Sequence, residues 1–491
     1  MKRVGGWALS GLTWASGVYI ILVPSLSLLP FVGPFNEKRA LQVSLLVIIG
    51  SVLILSQKHR RDWLSNLRRL PLSSRWGLGI VFSLGVASST LAPSPFHAFL
   101  EMGHYLLLFI LAGVIASVVR RAPERAEKMI LGTVVVSAMM YAVYFSAGYA
   151  KYLIVSNANP WPDGPTNFAN VRIFNQYQTL TLPLLASGAL GYFGRWRFSK
   201  AAIFALVILW WALIFASDVR GTLLAMTTAA VGVGILFRSG AKKWILIQGV
   251  GLVLGLGLYY LLFSADSVPP VADRFTDVSH NSQRLQYWRT CLEMAWAHPF
   301  LGAGPMHFAW PPYHYATGAS PHNAVMQWLG EWGIPSTIIM ASLTIWGIWS
   351  WLLQERSIIE CNGKTSSCIQ VSFAAAVLAG VAHSMVSGLI LAPLSQVLLA
   401  LVGGWVWGRY QFSRNLSNDA CSFRAHAIFC ALLVSAVLVV GSSLRDLTTV
   451  TERRIAFMNS VERNTLSPRY WTQGYIGVRD SSVIEKARRS R

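Results

Sequence analysis

Charged side chains are scarce in this sequence. Lys, Arg, Asp and Glu together make up only 12% of the 491 residues, whereas hydrophobic residues make up 54% and the mean hydropathy is +0.48. A soluble protein needs many more charges to cover its surface, while helices that face lipid need none. Apolar runs recur along the whole chain, each close to the ~20 residues that cross a bilayer core. The composition therefore excludes an ordinary soluble domain and predicts a polytopic membrane protein.

Acidic residues and cysteines are also few. Only 20 Asp and Glu accompany 41 Lys and Arg, and the predicted external segments contain no Asp-x-Asp pair of the kind that a divalent metal would use. The five cysteines show no metal-binding spacing, and Cys291 has no obvious disulfide partner in the external loop that contains it. We therefore expect neither a metal centre nor a bound cofactor nor a disulfide framework.

The distribution of basic residues orients the predicted helices. Lys and Arg concentrate in the connections that lie inside when the N-terminus is inside, as the positive-inside rule requires, and the external turn 37–39 is a local exception. The net charge of +21 is thus explained by topology and by anionic membrane lipids, and no nucleic-acid partner is expected. The predicted spans are residues 7–32, 40–56, 76–92, 97–119, 129–153, 174–193, 201–217, 221–237, 244–263, 334–353, 367–391, 393–408 and 426–443.

The predicted fold class is all-α, with 12 or 13 transmembrane helices. Thirteen spans would leave the short basic tail 444–491 outside, which its charge does not favour. If the weak span 393–408 is not a true crossing, the tail returns inside. The side of the tail therefore stays open at this point.

One external loop, residues 264–323, is too long to be a simple connection and is a candidate working part. Within it, Ser282–His298 has helical spacing of apolar residues and is followed by Pro299. A second short helix is predicted to begin at Ser320-Pro321, with serine as the cap and proline in the first turn, and to end at Gly333.

His322 falls in the first turn of that second predicted helix. The helix dipole disfavours protonation there, and a neutral imidazole can accept a proton as a general base. The same helix end can attract a phosphate. The alternative interpretation is a histidine that only caps or packs at a helix start. A set of nearby arginines favours a functional role.

These arginines occupy external positions in a chain whose other external connections contain little arginine. A guanidinium near the hydrocarbon edge is costly and is usually retained for a partner, and its forked donors suit a phosphate. Glu293 lies one turn after one of them and predicts an exposed ion pair of little energy, and Asp218 offers another a local partner. The four are Arg172, Arg220, Arg284 and Arg289, of which Arg172 and Arg284 have no acidic neighbour at helical spacing.

Several short motifs between about residues 165 and 410 form a set. They are Asn170-Val171-Arg172-x2-Asn175-Gln176, Ser217-x2-Arg220, Arg284-x3-Trp288, the stretch from Ala297 to Pro305, His322-Asn323, the stretch from Leu329 to Ile334, and His383-Ser384. Taken together, they resemble the signature of the O-antigen ligase and O-antigen polymerase superfamily, which also contains the bacterial protein O-oligosaccharyltransferases.

The resemblance implies a multi-pass glycosyltransferase of the bacterial inner membrane, formed by residues 1–443, with loop 264–323 on the periplasmic side. Its donor would be a glycan on undecaprenyl pyrophosphate, and its acceptor lipid A-core in a ligase or a growing glycan in a polymerase. The reaction would need no metal. By position, His322 would be the catalytic base, pyrophosphate would be held by Arg172, Arg220 and Arg284, and the supporting residues would be Asn175, Trp288, Asn323 and His383.

Two other functions remain open. A protein O-oligosaccharyltransferase should have an acidic residue and a proline soon after His383-Ser384, where this chain has Ser387-Gly388, and it should have a larger tail. A transporter or flippase of anionic lipid-linked sugars would also use arginines, but near the middle of the membrane and near broken helices. His383 itself has a second interpretation as a polar contact between membrane helices.

Overall fold

The structure is a computed structural model that describes residues 6–155, 167–192, 197–217, 219–263, 279–310, 318–362, 367–412, 423–460 and 467–476. In that part of the chain the fold is all-α, without strands. Its helices are α1 (Gly6–Leu22), α2 (Pro34–Leu55), α3 (Gln57–Arg68), α4 (Leu72–Leu91), α5 (Pro95–Arg121), α6 (Pro123–Ile154), α7 (Val171–Ala189), α8 (Arg197–Ala216), α9 (Arg220–Phe237), α10 (Lys242–Leu262), α11 (Ser279–Ala297), α12 (Ala324–Asn362), α13 (Ser367–Ser384), α14 (Pro393–Phe412), α15 (Phe423–Ser442) and α16 (Val450–Ser460).

The prediction of an all-α polytopic membrane protein is confirmed. By length and composition, seven helical segments of the described residues can cross a membrane, or eight if the bent pair α3–α4 is one span. In that count α9 and α10 form a single segment, Arg220–Leu262. The remaining predicted spans coincide with helices that are shorter or more polar, such as α1 and α13. The count of 12 or 13 crossings therefore stays a prediction.

Two predicted span boundaries are wrong. The first helix ends at Leu22 rather than near residue 32, and turns and a short 3-10 segment lead to α2. The span predicted over 367–391 ends at Ser384, because residues 385–392 form turns before Pro393 opens α14. Helix α3 was also not predicted, since its basic sequence is typical of an ordinary internal connection. Its Trp63 is nevertheless buried and donates to Ile110 O at 3.0 Å.

Helix α14, the span that the sequence left in doubt, packs closely along α5. A Cβ atom placed on Gly404 would lie 2.6 Å from Ala112 O, and one on Gly408 would lie 2.7 Å from Ala116 O. Small residues four apart let two helix backbones approach in this way, and this contact is a main source of helix association where no water drives it. The pair places α14 firmly inside the bundle.

The two ends of the bundle differ in chemistry. We define the loop face as the end at which α11 and the described residues between α11 and α12 lie. At the opposite face, the partly buried Arg409 contacts Glu355 at 3.2 Å and Glu127 at 3.8 Å. The C-terminal segment, which we define as residues 467–476, lies at the loop face, where Ile476 N donates to Ala309 O at 3.0 Å. The side of this part of the tail, which the sequence left open, is therefore the side of the loop.

The basic exception at the start of α2 is explained by burial. Arg39 is 2% exposed and donates to Gln42 Oε1 and Gln396 Oε1, each at 2.6 Å. Lys38, also 2% exposed, donates to Asn167 O at 2.7 Å. Both cations serve as hydrogen-bond donors within the protein, so they carry no information about the side of the membrane.

A glycine-lined contact joins the turn after α11 to α12. Ala303 N donates to Gly330 O at 2.9 Å and Gly304 N donates to Glu331 O at 3.1 Å. The helical path of α12 is interrupted at Gly333, with φ +79° and ψ 171°, where the sequence predicted the short helix to end. This backbone region is accessible essentially only to glycine.

We expect Gly333→Ala to lower the thermal unfolding temperature of the detergent-purified protein by several degrees. The new Cβ would lie 2.7 Å from Gly302 N and from Phe300 C and O, and the backbone conformation alone disfavours alanine by about 1–3 kcal/mol. Gly347→Ala, in the same helix and with nothing within 4 Å of the added Cβ, is the matched control and should leave the unfolding temperature unchanged or raise it slightly. Equal unfolding temperatures for the two variants would contradict this account.

Candidate functional site

His322 lies immediately before α12 rather than inside its first turn. The cap of α12 is Asn323, whose Oδ1 accepts from Met326 N at 3.0 Å, so the prediction that the helix begins at Ser320 is wrong. A side-chain acceptor directly ahead of Ala324 satisfies an orphan N–H of the first turn, and this decides where the helix starts. His322 has φ +54°, a conformation that is uncommon for residues other than glycine and that concentrates at functional sites.

Neighbouring elements hold the His322 backbone and limit the space around its ring. Trp288 Nε1, on α11, donates to Pro321 O at 3.1 Å. The Tyr287 ring lies 6.3 Å from the imidazole, centre to centre. A Cβ placed on Gly388, in the turn after α13, would lie 3.9 Å from His322 Nδ1, so the absent side chain leaves room beside the ring. Trp288, predicted as a supporting residue, therefore contacts the peptide next to His322.

His322 is neutral at physiological pH. Burial first, and then the positive charges of Arg172 and Arg284, lower the pKa of His322 from its ordinary 6.5 to about 4. From the sequence, a helix dipole alone predicted the same protonation state. The structure adds two cations and burial as further causes, and a neutral imidazole retains a free nitrogen lone pair that can accept a proton.

Three predicted arginines converge on the same place from three helices. Arg172 is the second residue of α7, after the cap Asn170, and Arg220 is the first residue of α9; both are exposed. Arg284 projects from α11 and is half-buried. Burial and the charges of Arg172 and Arg220 lower the pKa of Arg284, which indicates that the three guanidinium groups interact electrostatically.

The arginine cluster, which we define as Arg172, Arg220 and Arg284, is a concentration of positive charge. Within the described residues, neither Arg172 nor Arg284 forms an ion pair with a carboxylate. Like charges held together in this way raise the local potential and favour an anion. Guanidinium groups in particular suit the oxygens of a phosphate.

Arg289 behaves as its sequence predicts. Its Nε donates to Glu293 Oε1 at 2.9 Å one turn on, and the two side chains are 81% and 61% exposed. Such a pair contributes little to stability. Arg289 lies on the same helix as Arg284 but outside the arginine cluster, which makes it a useful control residue.

A buried polar layer lies beneath the arginine cluster. His383 Nδ1 and Thr179 Oγ1 are 2.7 Å apart, and a Cβ placed on Gly221, next to Arg220, would lie 3.0 Å from His383 Nε2. Asn175 Nδ2 donates to Gln178 Oε1 at 2.6 Å, while its buried Oδ1 has no hydrogen-bond partner among the described residues. His383 and Asn175 therefore support the helices that carry Arg220 and Arg172.

Sequence reasoning missed three charged residues beside the site. Glu101 on α5 and Glu331 on α12 are 5% and 0% exposed, and both contact Arg469 of the C-terminal segment. A usable signal existed for Glu101, because an ionisable residue within an apolar span usually has a functional or paired role. Glu331 lies before the predicted span 334–353 and carried no such signal. Arg469 lies in a basic tail without recognisable pattern, so nothing distinguished it.

The described residues contain no group of three or more His, Cys, Asp or Glu side chains arranged to hold a metal ion. Cys291 is a buried free thiol. Residues 264–278 and 311–317 of the long external loop lie outside the described residues, as do residues 156–166, between α6 and α7, and Asp218.

Comparison with known proteins identifies one family. Residues 204–341 match the family model described as O-antigen ligase, and no curated protein matches the chain significantly. The matched segment contains Arg220, Arg284 and His322, while Arg172 and His383 fall outside it. The family indicates glycan transfer of the O-antigen ligase or polymerase type. Residues 204–341 therefore resemble an O-antigen ligase domain, which supports a relation to the O-antigen ligase and polymerase superfamily.

Proposed function

We propose that this protein transfers a glycan from undecaprenyl pyrophosphate to an acceptor hydroxyl at the periplasmic face of the bacterial inner membrane. The observation that carries the proposal is the convergence of Arg172, Arg220 and Arg284 around a neutral His322 on one face of the bundle. A base and an anion site side by side are what this reaction needs. The loop face would then be the periplasmic face.

The proposed reaction is a single displacement. His322 takes the proton of the acceptor hydroxyl as its oxygen attacks the anomeric carbon of the donor glycan. A new glycosidic C–O bond forms, and the bond between the anomeric carbon and the pyrophosphate oxygen breaks. Undecaprenyl pyrophosphate leaves with the bonding electrons, and the arginine cluster stabilises the charge that develops on it. Asn323, by capping α12, fixes the backbone that directly follows the base.

A transporter of lipid-linked sugars is less well supported. Arg172 and Arg220 lie in the first turns of their helices, and Arg284 lies on the external helix α11. A transport path would instead place charges near the bilayer midplane, at discontinuous helices related by an internal repeat. The neutral histidine beside the arginine cluster has a direct role in transfer, as the base that accepts the acceptor's proton.

We expect the purified protein to release undecaprenyl pyrophosphate from a glycan-loaded donor at the same rate with and without EDTA. Three guanidinium groups can supply the positive charge that other phosphate-transfer sites take from a divalent ion. Thin-layer chromatography detects the released undecaprenyl pyrophosphate. In the control, EDTA is removed and Mg²⁺ or Mn²⁺ is added back. Strict dependence on added metal would contradict the arginine mechanism.

The acceptor is best identified by deleting the gene in its host and locating the polysaccharide. Ligase and polymerase are the two primary proposals. Loss of all lipid A-linked chains would indicate a ligase. Single repeats still attached to lipid A-core would indicate a polymerase. Unmodified protein with normal lipopolysaccharide would indicate a protein O-oligosaccharyltransferase. An unchanged polysaccharide and unchanged proteins would contradict all three.

A further inference from the structure

The C-terminal segment is bound into the loop face by buried polar contacts. Arg469 is 2% exposed, and its Nη2 donates to both oxygens of Glu101 at 2.8 Å and to those of Glu331 at 2.8 and 2.7 Å. Asn36 and Thr472 exchange two hydrogen bonds, at 2.8 and 2.9 Å. Tyr470 O accepts from Arg39 Nε at 3.1 Å. The segment is therefore an integral part of the packed structure.

A continuous series of contacts leads from this segment to the proposed base. Glu331 Oε1, besides binding Arg469, accepts from Phe308 N at 2.9 Å. The Phe308 ring packs edge-on against Tyr287, with 6.1 Å between ring centres, and Tyr287 in turn lies against His322. Phe308 and Tyr287 are both buried. Each residue of the series thus contacts the next, from Arg469 to His322.

Arg469, Glu101 and Glu331 depend on one another, because all three charged groups are buried. Burial alone would lower the pKa of Arg469, but the carboxylates of Glu101 and Glu331 raise it, so the guanidinium stays charged. Removing only the arginine would leave two acids buried without a cation, which is strongly unfavourable. The docked C-terminal segment therefore fixes the position of the Glu331 side chain, and with it the position of the acceptor that Phe308 N uses.

We propose that Arg469 is a positioning residue for the transfer reaction, holding His322 in its catalytic position through Glu331, Phe308 and Tyr287. The predicted effect of Arg469 on activity rests on the proposed function, whereas its effect on the position of His322 does not. Arg469 lies outside the segment matched by the family, residues 204–341. The catalytic unit then extends to the C-terminal segment rather than ending with the last apolar helix.

Two full-length variants test the proposal. In the triple variant Glu101→Gln, Glu331→Gln and Arg469→Met, no buried charge is left unpaired. The amide oxygen that replaces the Glu331 carboxylate can still accept from Phe308 N, so folding is preserved while the tie to the tail is lost. Arg469→Lys is the conservative control. Because only Nη2 contacts the four carboxylate oxygens, a single lysine ammonium can replace it.

We expect the triple variant to bind donor normally and to lose about tenfold or more in kcat, because small displacements of a catalytic group are costly. Arg469→Lys should retain most of the wild-type kcat. In the triple variant the acid limb of kcat/KM should also move up from near pH 4 toward 6.5, as His322 becomes better solvated. Poor folding alone would lower kcat/KM at every pH without moving the pH of its acid limb. Wild-type kcat and an unmoved limb in the triple variant would overturn the proposal.

A readout independent of activity separates this proposal from the proposed function. Diethyl pyrocarbonate modifies accessible neutral imidazoles, and mass spectrometry can follow His322 against His426, a half-buried histidine at the start of α15. We expect His322 to react several-fold faster in the triple variant, while His426 is unchanged. Equal His322 reactivity would overturn the positioning role. Faster reactivity in a protein whose wild type transfers no glycan would refute only the proposed function.

Discussion

Replacing His322 with alanine is expected to reduce kcat for glycan transfer by about 10²-fold or more while donor affinity is retained, since a positioned general base contributes roughly 10²–10⁴-fold. The ring supplies the proton acceptor, whereas donor affinity comes from the arginine cluster. Turnover is measured with purified protein and a defined lipid-linked donor, and affinity by equilibrium binding of the same donor.

His298→Ala is the control for this substitution. His298 is an exposed histidine that directly follows α11, and it belongs to the same segment of the loop face. We expect it to leave both kcat and donor affinity within about twofold of wild type, because surface substitutions away from a site have small effects. Full turnover in His322→Ala, or equal losses in the two variants, would remove His322 from the mechanism.

The pH dependence of the transfer rate is a second test of the role of His322. A base acts only when deprotonated, and the pKa of His322 is lowered to about 4 by burial and by Arg172 and Arg284. The rate kcat/KM, which reports the free enzyme, should therefore stay level as pH falls from 8 to about 5 and should drop only near pH 4. For kcat the limb should lie higher, because a bound pyrophosphate offsets the cations. An acid limb of kcat/KM at 6.5 would indicate an ordinary exposed imidazole.

Arg284→Ala is expected to weaken donor binding by roughly 10- to 150-fold, the loss that corresponds to about 1.5–3 kcal/mol for a hydrogen bond to a charged group. Arg284 is the half-buried member of the arginine cluster, so solvent screens its charge less than that of the two exposed members. Binding of a fluorescent polyprenyl pyrophosphate at fixed ionic strength measures the effect. Arg284→Lys should recover part of the affinity, since it keeps the charge but loses the forked geometry.

Arg289→Ala provides the matched control on the same helix. Arg289 has the same charge but is 81% exposed and paired with Glu293. We expect its replacement to change donor affinity by less than about twofold, as is typical of exposed ion pairs. Equal effects of Arg284→Ala and Arg289→Ala would show that donor binding depends on overall charge rather than on the arginine cluster.

Much of the fold follows from the sequence because a membrane helix is specified locally. An apolar run of about 20 residues has few alternatives in lipid, and every predicted span corresponds to a helix. The errors occur where tertiary contacts decide. The end of α13 depends on the turn 385–392, and the start of α12 depends on which side chain caps it. Ser320 and Asn323 were both plausible caps, and only the folded chain selects Asn323.

The candidate site was predictable in its members but not in its boundaries. His322 and the arginine cluster were identifiable because arginines at external positions are conspicuous in a chain whose other external connections contain little arginine. Their convergence from α7, α9 and α11 is a long-range property that no spacing encodes. Arg469 was not predictable, since its meaning depends on the buried acids Glu101 and Glu331, which lie far from it in the sequence. Ion pairs between residues 138 and 368 positions apart leave no local pattern.

The central claim, direct attack on the anomeric carbon by an acceptor that His322 deprotonates, is tested most directly by the configuration of the new glycosidic bond. Wild-type protein should be given a donor of known anomeric configuration and the product examined by NMR coupling constants. A single displacement predicts inversion at the anomeric carbon. Retention of configuration would require an intermediate bound to the protein and would contradict the mechanism.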